Sequence, residues 1–210
     1  MPFSRWPKLL RSHRDARVFF ISISLVVTAF LAVISFARYR TVNDLLIRTM
    51  RHEAQSYASL IIITHHWNAE HGGVYVVKRD REQPDHRLNQ VDTAPEVRTT
   101  TGNALILKNP ETMIREISER TSKNQDVRFR LVSLKPLNPD NKPDAFEQSV
   151  LTGSEEHANG SWIIDRSRPE PLFRFVHRVK VERPCLSCHA QQGYREGDIR
   201  GGVSIVIPAG

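Results

Sequence analysis

The feature that most limits how this chain can fold is an uninterrupted apolar run near its amino terminus. Residues 18–36, VFFISISLVVTAFLAVISF, carry no charge and give nineteen mostly apolar positions. An α-helix rises about 1.5 Å per residue, so this run is long enough to cross the roughly 30 Å hydrocarbon core of a bilayer. It predicts a transmembrane anchor over residues 18–37, between a basic tail at 1–17 and a larger domain at 38–210.

Basic residues before the run predict its orientation. Five bases and one acid precede it: Arg5, Lys8, Arg11, Arg14, Arg17 and Asp15. The bases that follow the run are sparser and are mixed with acids. Because positively charged segments stay in the cytoplasm, we expect the amino terminus there. The rest is then exported, which predicts an inner-membrane protein with a periplasmic domain.

Two other interpretations of the run are open. A cleaved signal peptide is also apolar, and Ser35-Phe36-Ala37 has small residues suited to cleavage. The run, however, exceeds the usual core of about 7–15 residues, and Arg38 follows at once. A buried helix of a soluble core is disfavoured by the flanking bases. We expect an uncleaved anchor.

A C-x-x-C-H motif, Cys185-Leu186-Ser187-Cys188-His189, contains the only two cysteines of the chain. This spacing is the attachment signature of c-type haem. Two thiols three residues apart can each form a thioether with one haem vinyl group, and the adjacent imidazole can then bind the iron. The motif predicts one covalent haem c, with Cys185 and Cys188 as attachment points and His189 as proximal iron ligand.

Two other chemistries use these residue types. A thioredoxin-like redox pair has the same cysteine spacing but expects a βαβ setting, whereas this motif follows a strand-like segment and Pro184. A structural zinc site needs about four ligands, so the motif would require a distant histidine. Export favours haem, since haem c is attached outside the bacterial cytoplasm.

The charge of the chain does not indicate a nucleic-acid partner. The formal net charge is +7. Four of these charges (five basic minus one acidic) lie in residues 1–17, where they serve orientation and contact with anionic headgroups. No later run of Lys and Arg has interleaved aromatic residues, so we expect no nucleic-acid binding.

Residue periodicity beyond position 38 predicts an α+β domain. Apolar residues at helical spacing from Tyr39 to about Asn68 predict a long juxtamembrane helix that continues out of the membrane and ends at Gly72-Gly73. Residues 79–103 are expected to form a long exposed connection. Strands are predicted at 74–77, 105–107, 127–134, 162–164, 172–181 and 203–207. Strands without regular crossover helices indicate an antiparallel sheet.

Two further helices are predicted from their first residues. Asn109-Pro110 is typical of a helix start and predicts a helix to about Thr121, with Met113, Ile114 and Ile117 facing inward. Asp144-Ala145-Phe146-Glu147 has the form of a capping box at the start of a short helix.

Five segments in a fixed order carry a resemblance to a known family. They are Trp67–Val76, Asn109–Met113, Ser133–Pro139, Arg183–Ala190 and Gly197–Ser204. On them the chain resembles the PAS-like c-type haem sensor domains that are anchored in bacterial membranes ahead of histidine kinases and diguanylate cyclases. The resemblance covers residues 40–208. It implies a PAS-like antiparallel sheet with flanking helices and a haem-binding input domain.

The resemblance does not extend to an output module. In that family a second membrane span and a signalling domain normally follow the last strand. This sequence ends at Pro208-Ala209-Gly210 without a kinase or cyclase motif. We expect either a free-standing anchored haem protein or the sensor part of a longer chain.

The sixth iron ligand is open among the other histidines and Met113. His71 ranks first, because the two glycines after it let the backbone approach a flat cofactor closely. His65 and His66 rank next. Each of the three has the alternative of a solvent-exposed histidine near a helix end. His177 is expected to be a core histidine or a propionate donor.

Basic residues on the strand before the motif are candidates for haem propionate contacts. Arg178 and Lys180 are predicted contacts, with Arg174 and Arg183 beside them. A bidentate guanidinium suits a carboxylate well, although a solvated strand face is the ordinary alternative.

Two functions are compatible with one haem at a membrane. The first is a sensory input module, in which redox change or a diatomic gas alters an axial bond and the long helix transmits the change. The alternative is a membrane-anchored monohaem cytochrome for electron transfer. No distal His/Arg arrangement can be recognised, so we expect no enzymatic activity. Expected partners are the membrane, a diatomic gas or redox partner, a second copy of the chain, and a downstream kinase or cyclase module.

Overall fold

The computed structural model describes residues 13–80, 82–84, 94–124, 127–136, 138–153, 160–183, 186 and 193–209. The chain divides into two compact units, Met1–Thr49 and Met50–Gly210. Helix α1 (His13–Glu70) contributes residues to both units.

In the first unit, the described residues form the amino-terminal part of α1. This part includes a window that is long and apolar enough to cross a membrane, and none of that window is buried. Val18, Phe20, Leu25 and Phe36 are among its exposed side chains. A helix that is apolar on all sides has no face suited to water. The predicted apolar helix is therefore confirmed; by length and composition it fits a membrane span or a signal sequence.

In the second unit, the described residues form the rest of α1, two more α-helices and seven strands. In chain order these are β1 (Val74–Val77), β2 (Glu96–Arg98), β3 (Ala104–Lys108), α2 (Pro110–Asn124), β4 (Arg128–Ser133), α3 (Ala145–Thr152), β5 (Ser161–Asp165), β6 (Leu172–Lys180) and β7 (Ile199–Pro208). A short 3-10 helix, Pro139–Asn141, follows β4. The α+β prediction is confirmed.

Within the described residues, the strands form two antiparallel sheets. One has the order β1-β3-β2 and the other the order β4-β7-β6-β5. In the larger sheet, β6 pairs with β7 from Leu172 opposite Pro208 to Lys180 opposite Ile199, with an irregularity between Val179 and Lys180. Strand β2 lies inside the segment that was expected to be a connection throughout. Its three residues are too few for a period-2 pattern to stand out.

The four-stranded sheet has a core on each face. On one face, Phe173 and Phe175 are fully buried and cluster with Ala58 of α1 and Ile114 of α2. On the other face, Val176 belongs to a second cluster with residues of α3. The prediction that Ile117 faces inward is wrong: its side chain is 39% exposed. It lies one turn beyond Ile114, at the edge of the buried face of α2.

Helix α1 ends as the two glycines predict. Gly72 and Gly73 have φ angles of 69° and 105°. Their amides donate to the carbonyl oxygens of Ala69 and Asn68, at 3.1 and 3.0 Å. Glycine adopts this left-handed backbone without a steric penalty, which explains why the helix stops after Glu70.

The two shorter helices begin at the predicted caps. Asn109 Oδ1 accepts a hydrogen bond from the Thr112 amide at 2.8 Å. At α3, Asp144 Oδ1 accepts from the Glu147 amide at 2.9 Å, and Glu147 Oε2 accepts from the Asp144 amide at 2.8 Å. This reciprocal pair is the predicted capping box.

Candidate functional site

The predicted haem-attachment residues, Cys185, Cys188 and His189, lie outside the described residues. Their roles as attachment points and proximal ligand therefore stay predictions. The structure does describe the strand that leads toward them, together with Leu186 and the chain from Gly193 onward.

The end of this strand is firmly held. Val181 is 1% exposed and packs in a small cluster with Leu186 and Tyr194. Its amide donates to the Asp198 carbonyl oxygen, and its own carbonyl oxygen accepts from the Gly197 amide, both at 2.9 Å. These contacts fix the backbone shortly before Cys185.

A pocket lies between the last turns of α1 and the larger sheet. About 500 Å³ in it is not filled by atoms, part of it open to solvent. Residues from six elements contribute to its wall, among them His65, His66, Leu131, Ser133, Val179 and Arg200. Because Val179 precedes Val181 on the same chain segment, the pocket adjoins the stretch that runs toward the C-x-x-C-H motif.

His66 has an arrangement suited to metal binding. Its Nε2 atom is buried and has no hydrogen-bond partner among the described residues. Its Nδ1 atom lies 3.6 Å from Glu182 Oε2. Histidines that bind metals commonly direct their second ring nitrogen at a carboxylate or carbonyl group. A buried polar atom without a partner costs free energy, so His66 Nε2 marks a place where a ligand would be favourable.

His65 lines the same pocket and is 9% exposed. Its ring meets that of His66 edge to face, with 5.9 Å between the centroids. The structure therefore brings together two of the three histidines considered as sixth ligands.

His71 lies elsewhere. It is exposed, and its Nδ1–H donates to the Trp67 carbonyl oxygen at 2.7 Å. Its ring lies against the Trp67 indole, with 4.5 Å between centroids, and Trp67 is itself 51% exposed. His71 is not part of the pocket wall.

The arginines of β6 have partners within the protein. Arg178 is buried, and it donates from Nε to the Val150 carbonyl oxygen at 2.7 Å and from Nη2 to the Gly153 carbonyl oxygen at 2.6 Å. These bonds hold the carboxyl end of α3, and a contact between Arg178 and a propionate stays a prediction. Arg174 pairs with Asp144 of the capping box.

Lys180 and Arg183 are exposed, as a solvated strand end would be. Arg183 Nε lies 3.2 Å from Glu196 Oε2. A propionate contact of Lys180 likewise stays a prediction.

His177 lies on the core face of β6. Its ring centroid is 6.4 Å from that of Phe175. Burial lowers the pKa of His177, because desolvation disfavours the charged imidazolium. This environment fits a core histidine.

Three charged residues near the histidines were not predicted from the sequence. Glu182 contacts His66, while Glu111 of α2 and Arg200 of β7 line the pocket. The one local signal was the pair Gly201-Gly202 beside Arg200, which marks a close approach of backbones. The sequence does not show which helix packs over these residues, because that depends on the tertiary fold.

The fold and the site together define an α+β domain with a histidine pocket next to the strand that leads into a C-x-x-C-H segment. The chain belongs to the Tll0287-like family, whose model matches residues 43–208. Among solved structures it is similar to the crystal structure of the cyanobacterial heme-protein Tll0287, with 16% identity and a TM-score of 0.47, over 75% of this chain and 93% of that one. No curated protein matches the chain.

Proposed function

We propose that this protein is a membrane-anchored c-type haem protein that acts as a sensory input module for redox change or a diatomic gas. The C-x-x-C-H motif and membership of a family named after a heme-protein support haem binding. The observation that carries the proposal is the buried Nε2 atom of His66, which has no partner in the described part of the chain and lies in a pocket beside the segment that leads to the motif.

The residues that would hold the group are Cys185, Cys188, His189 and His66. We choose His66 over His71 because His71 is exposed and its Nδ1 already bonds Trp67. Bound haem supplies one-electron redox chemistry and an iron coordination position for small ligands.

The chain's own residues set the environment of that position. Leu131 and Val179 give the pocket apolar surface, which disfavours charge and limits access of water. Arg200 lines the pocket, and we propose it as a further propionate partner.

Helix α1 supplies the connection that a sensor needs. His66 lies on α1, and the apolar segment belongs to the same helix. A change in the bond to His66 therefore acts on that helix directly, and α1 is the two-state element that the signal biases. We propose that the apolar segment is an uncleaved span, with the amino terminus cytoplasmic and the haem domain periplasmic.

We also propose that the protein has macromolecular partners and no enzymatic activity of its own. The exposed side of α1 in the second unit carries Leu60, Ile63 and Trp67, at the 3-4 spacing of a helix–helix seam. We propose that a second copy of the chain pairs there and that a kinase or cyclase module receives the signal. No enzymatic step is assigned to the haem domain.

Electron transfer is the second candidate function. It is favoured by the proposed ligand set, since an iron bound by both His66 and His189 would have less capacity to bind a gas. Carbon monoxide added to the reduced protein distinguishes the two. Spectral change on binding supports the gas sensor, and resistance to CO combined with rapid electron exchange supports the cytochrome.

The ligand assignment is tested with three variants of the full chain, His66→Ala, His65→Ala and His71→Ala, each matured with the haem-attachment machinery. A pyridine haemochrome assay measures haem content, and absorption spectra report the spin state. We expect His66→Ala alone to shift the Soret band and to give high-spin features. A shift confined to His71→Ala would refute the choice of His66, and colourless wild-type protein would refute haem binding.

A further inference from the structure

We propose that Glu182 is a positioning residue for the iron ligand: it orients the His66 ring so that Nε2 faces the iron, and it increases the electron donation of that ring. This inference rests on the proposed function, in which His66 binds haem iron.

The two ring nitrogens of His66 have different surroundings. Glu182 Oε2 lies 3.6 Å from Nδ1, whereas the buried atom without a partner is Nε2, on the opposite side of the same ring. A carboxylate facing Nδ1 favours the tautomer that carries its proton there. The lone pair of Nε2 is then free for a metal.

The position of Glu182 is set by the fold. Its neighbour Val181 is buried and is held by two backbone hydrogen bonds to residues 197 and 198. Three residues after Glu182 the chain reaches Cys185. One short segment therefore carries both the carboxylate that faces the ligand ring and the first thiol that would attach the haem.

A carboxylate at this position should change the reduction potential of the iron. A carboxylate beside a ligand imidazole raises the basicity of the ring and so stabilises the more positive, ferric state of the iron. Loss of that negative charge should favour the ferrous state and raise the reduction potential.

A simple surface ion pair is the alternative, since the Glu182 side chain is 62% exposed. Exposed pairs contribute only about 0–1 kcal/mol to folding, so stability cannot separate the two roles. A neighbouring pair offers a matched control. Glu196 is 57% exposed and lies 3.2 Å from Arg183, the residue next to Glu182.

The experiment compares Glu182→Gln, Glu182→Asp and Glu196→Gln in the full-length, haem-loaded protein. The readouts are the midpoint potential and the ferric EPR g values. We expect Glu182→Gln to raise the potential and alter the g values, Glu182→Asp to return the potential toward the wild-type value, and Glu196→Gln to match wild type. An unchanged or lowered potential in Glu182→Gln would overturn the inference.

The His66→Ala spectrum separates this failure from failure of the proposed function. If His66→Ala shifts the Soret band and Glu182→Gln leaves the potential unchanged, only the role of Glu182 is wrong. If His66→Ala leaves the spectrum unchanged, the ligand assignment itself is wrong and the Glu182 inference falls with it.

Discussion

His66 and His71 are only five positions apart, yet they differ in environment because His66 lies within α1, whereas His71 comes after its last residue, Glu70. The buried residues of α1 in the second unit follow one stripe: Ala54, Ala58, Ile61, His65 and Asn68. His65 and His66 lie on or next to this stripe, and His71 follows the end of the helix. The glycines after His71 serve to end α1, so their presence does not require a nearby cofactor.

Gly201 shows how one absent methyl group permits a close strand contact. A Cβ atom at this position would overlap the Val132 carbonyl oxygen of the neighbouring strand, and a backbone atom in a paired strand cannot move aside cheaply. We expect Gly201→Ala to lower the free energy of unfolding by about 2–3 kcal/mol, measured by denaturant titration.

Gly102→Ala is the control for this effect. It adds the same methyl group where no atom lies within 4 Å, at a φ of +87°. Its cost should be only the backbone strain of about 1–2 kcal/mol. A loss for Gly201→Ala that is no larger than the loss for Gly102→Ala would contradict the packing argument.

At the scale of elements, a buried lysine joins three parts of the second unit. Lys108 at the end of β3 is 8% exposed, and its Nζ donates to Glu116 of α2 at 2.6 Å and to Glu82 of the segment after β1. The hydrogen bond from Lys108 is the main reason why the pKa of Glu82 lies below its ordinary value of 4.5. Breaking such a partly buried cluster leaves two carboxylates without their cation.

This cluster predicts a specific pH dependence of stability. Since the folded pKa of Glu82 is lowered, its stabilisation is complete above about pH 4.5 and is lost as the pH falls through the folded value. We expect Lys108→Met to cost about 1–3 kcal/mol at pH 7. The difference in free energy of unfolding between this variant and wild type should become smaller in acid. Urea titrations at pH 7 and below pH 4 measure it.

Lys78→Met is the matched control for that measurement. Lys78 Nζ lies 2.6 Å from Glu96 Oε2, but both side chains are more than a quarter exposed, at 26% and 28%. Its loss should cost less than about 1 kcal/mol. If the difference in free energy of unfolding between wild type and Lys108→Met stays constant or grows in acid, the role given to Glu82 is wrong.

Strand periodicity explains why two arginines of β6 contact the ends of α3. Alternate residues of a strand point to opposite faces, so Arg174, Val176 and Arg178 share the face that α3 covers. Arg174 reaches the start of α3 at Asp144, and Arg178 reaches its end. The sequence alone made both arginines candidates for propionates, because the position of α3 on that face is a long-range contact.

At the scale of the whole molecule, the exposed seam of α1 makes a prediction about assembly. Leu60, Ile63 and Trp67 are 62%, 65% and 51% exposed. A charge in the middle of an apolar helix pair should prevent pairing. We expect Ile63→Glu to halve the molar mass of the detergent-solubilised protein, measured by light scattering after gel filtration.

The control for assembly is Ile117→Glu, which places the same charge at an exposed isoleucine of α2. It should leave the mass at that of the dimer, with an unchanged haem spectrum in both variants. A wild-type protein that is already monomeric would refute pairing of two copies through this seam.

Local features of this protein followed from the sequence by itself. The ends of α1, α2 and α3 depend on contacts within about five residues of each other, and the caps at Asn109 and Asp144 and the glycines after Glu70 are such contacts. The apolar run and the C-x-x-C-H motif also consist of residues that are adjacent in the sequence. The tertiary structure decided the rest: the separate sheet that contains β2, the α3 partners of the β6 arginines, and the meeting of His66 with Glu182. Apart from the pairing of β2 with β3, these contacts join residues tens of positions apart, and only the tertiary fold brings such residues together.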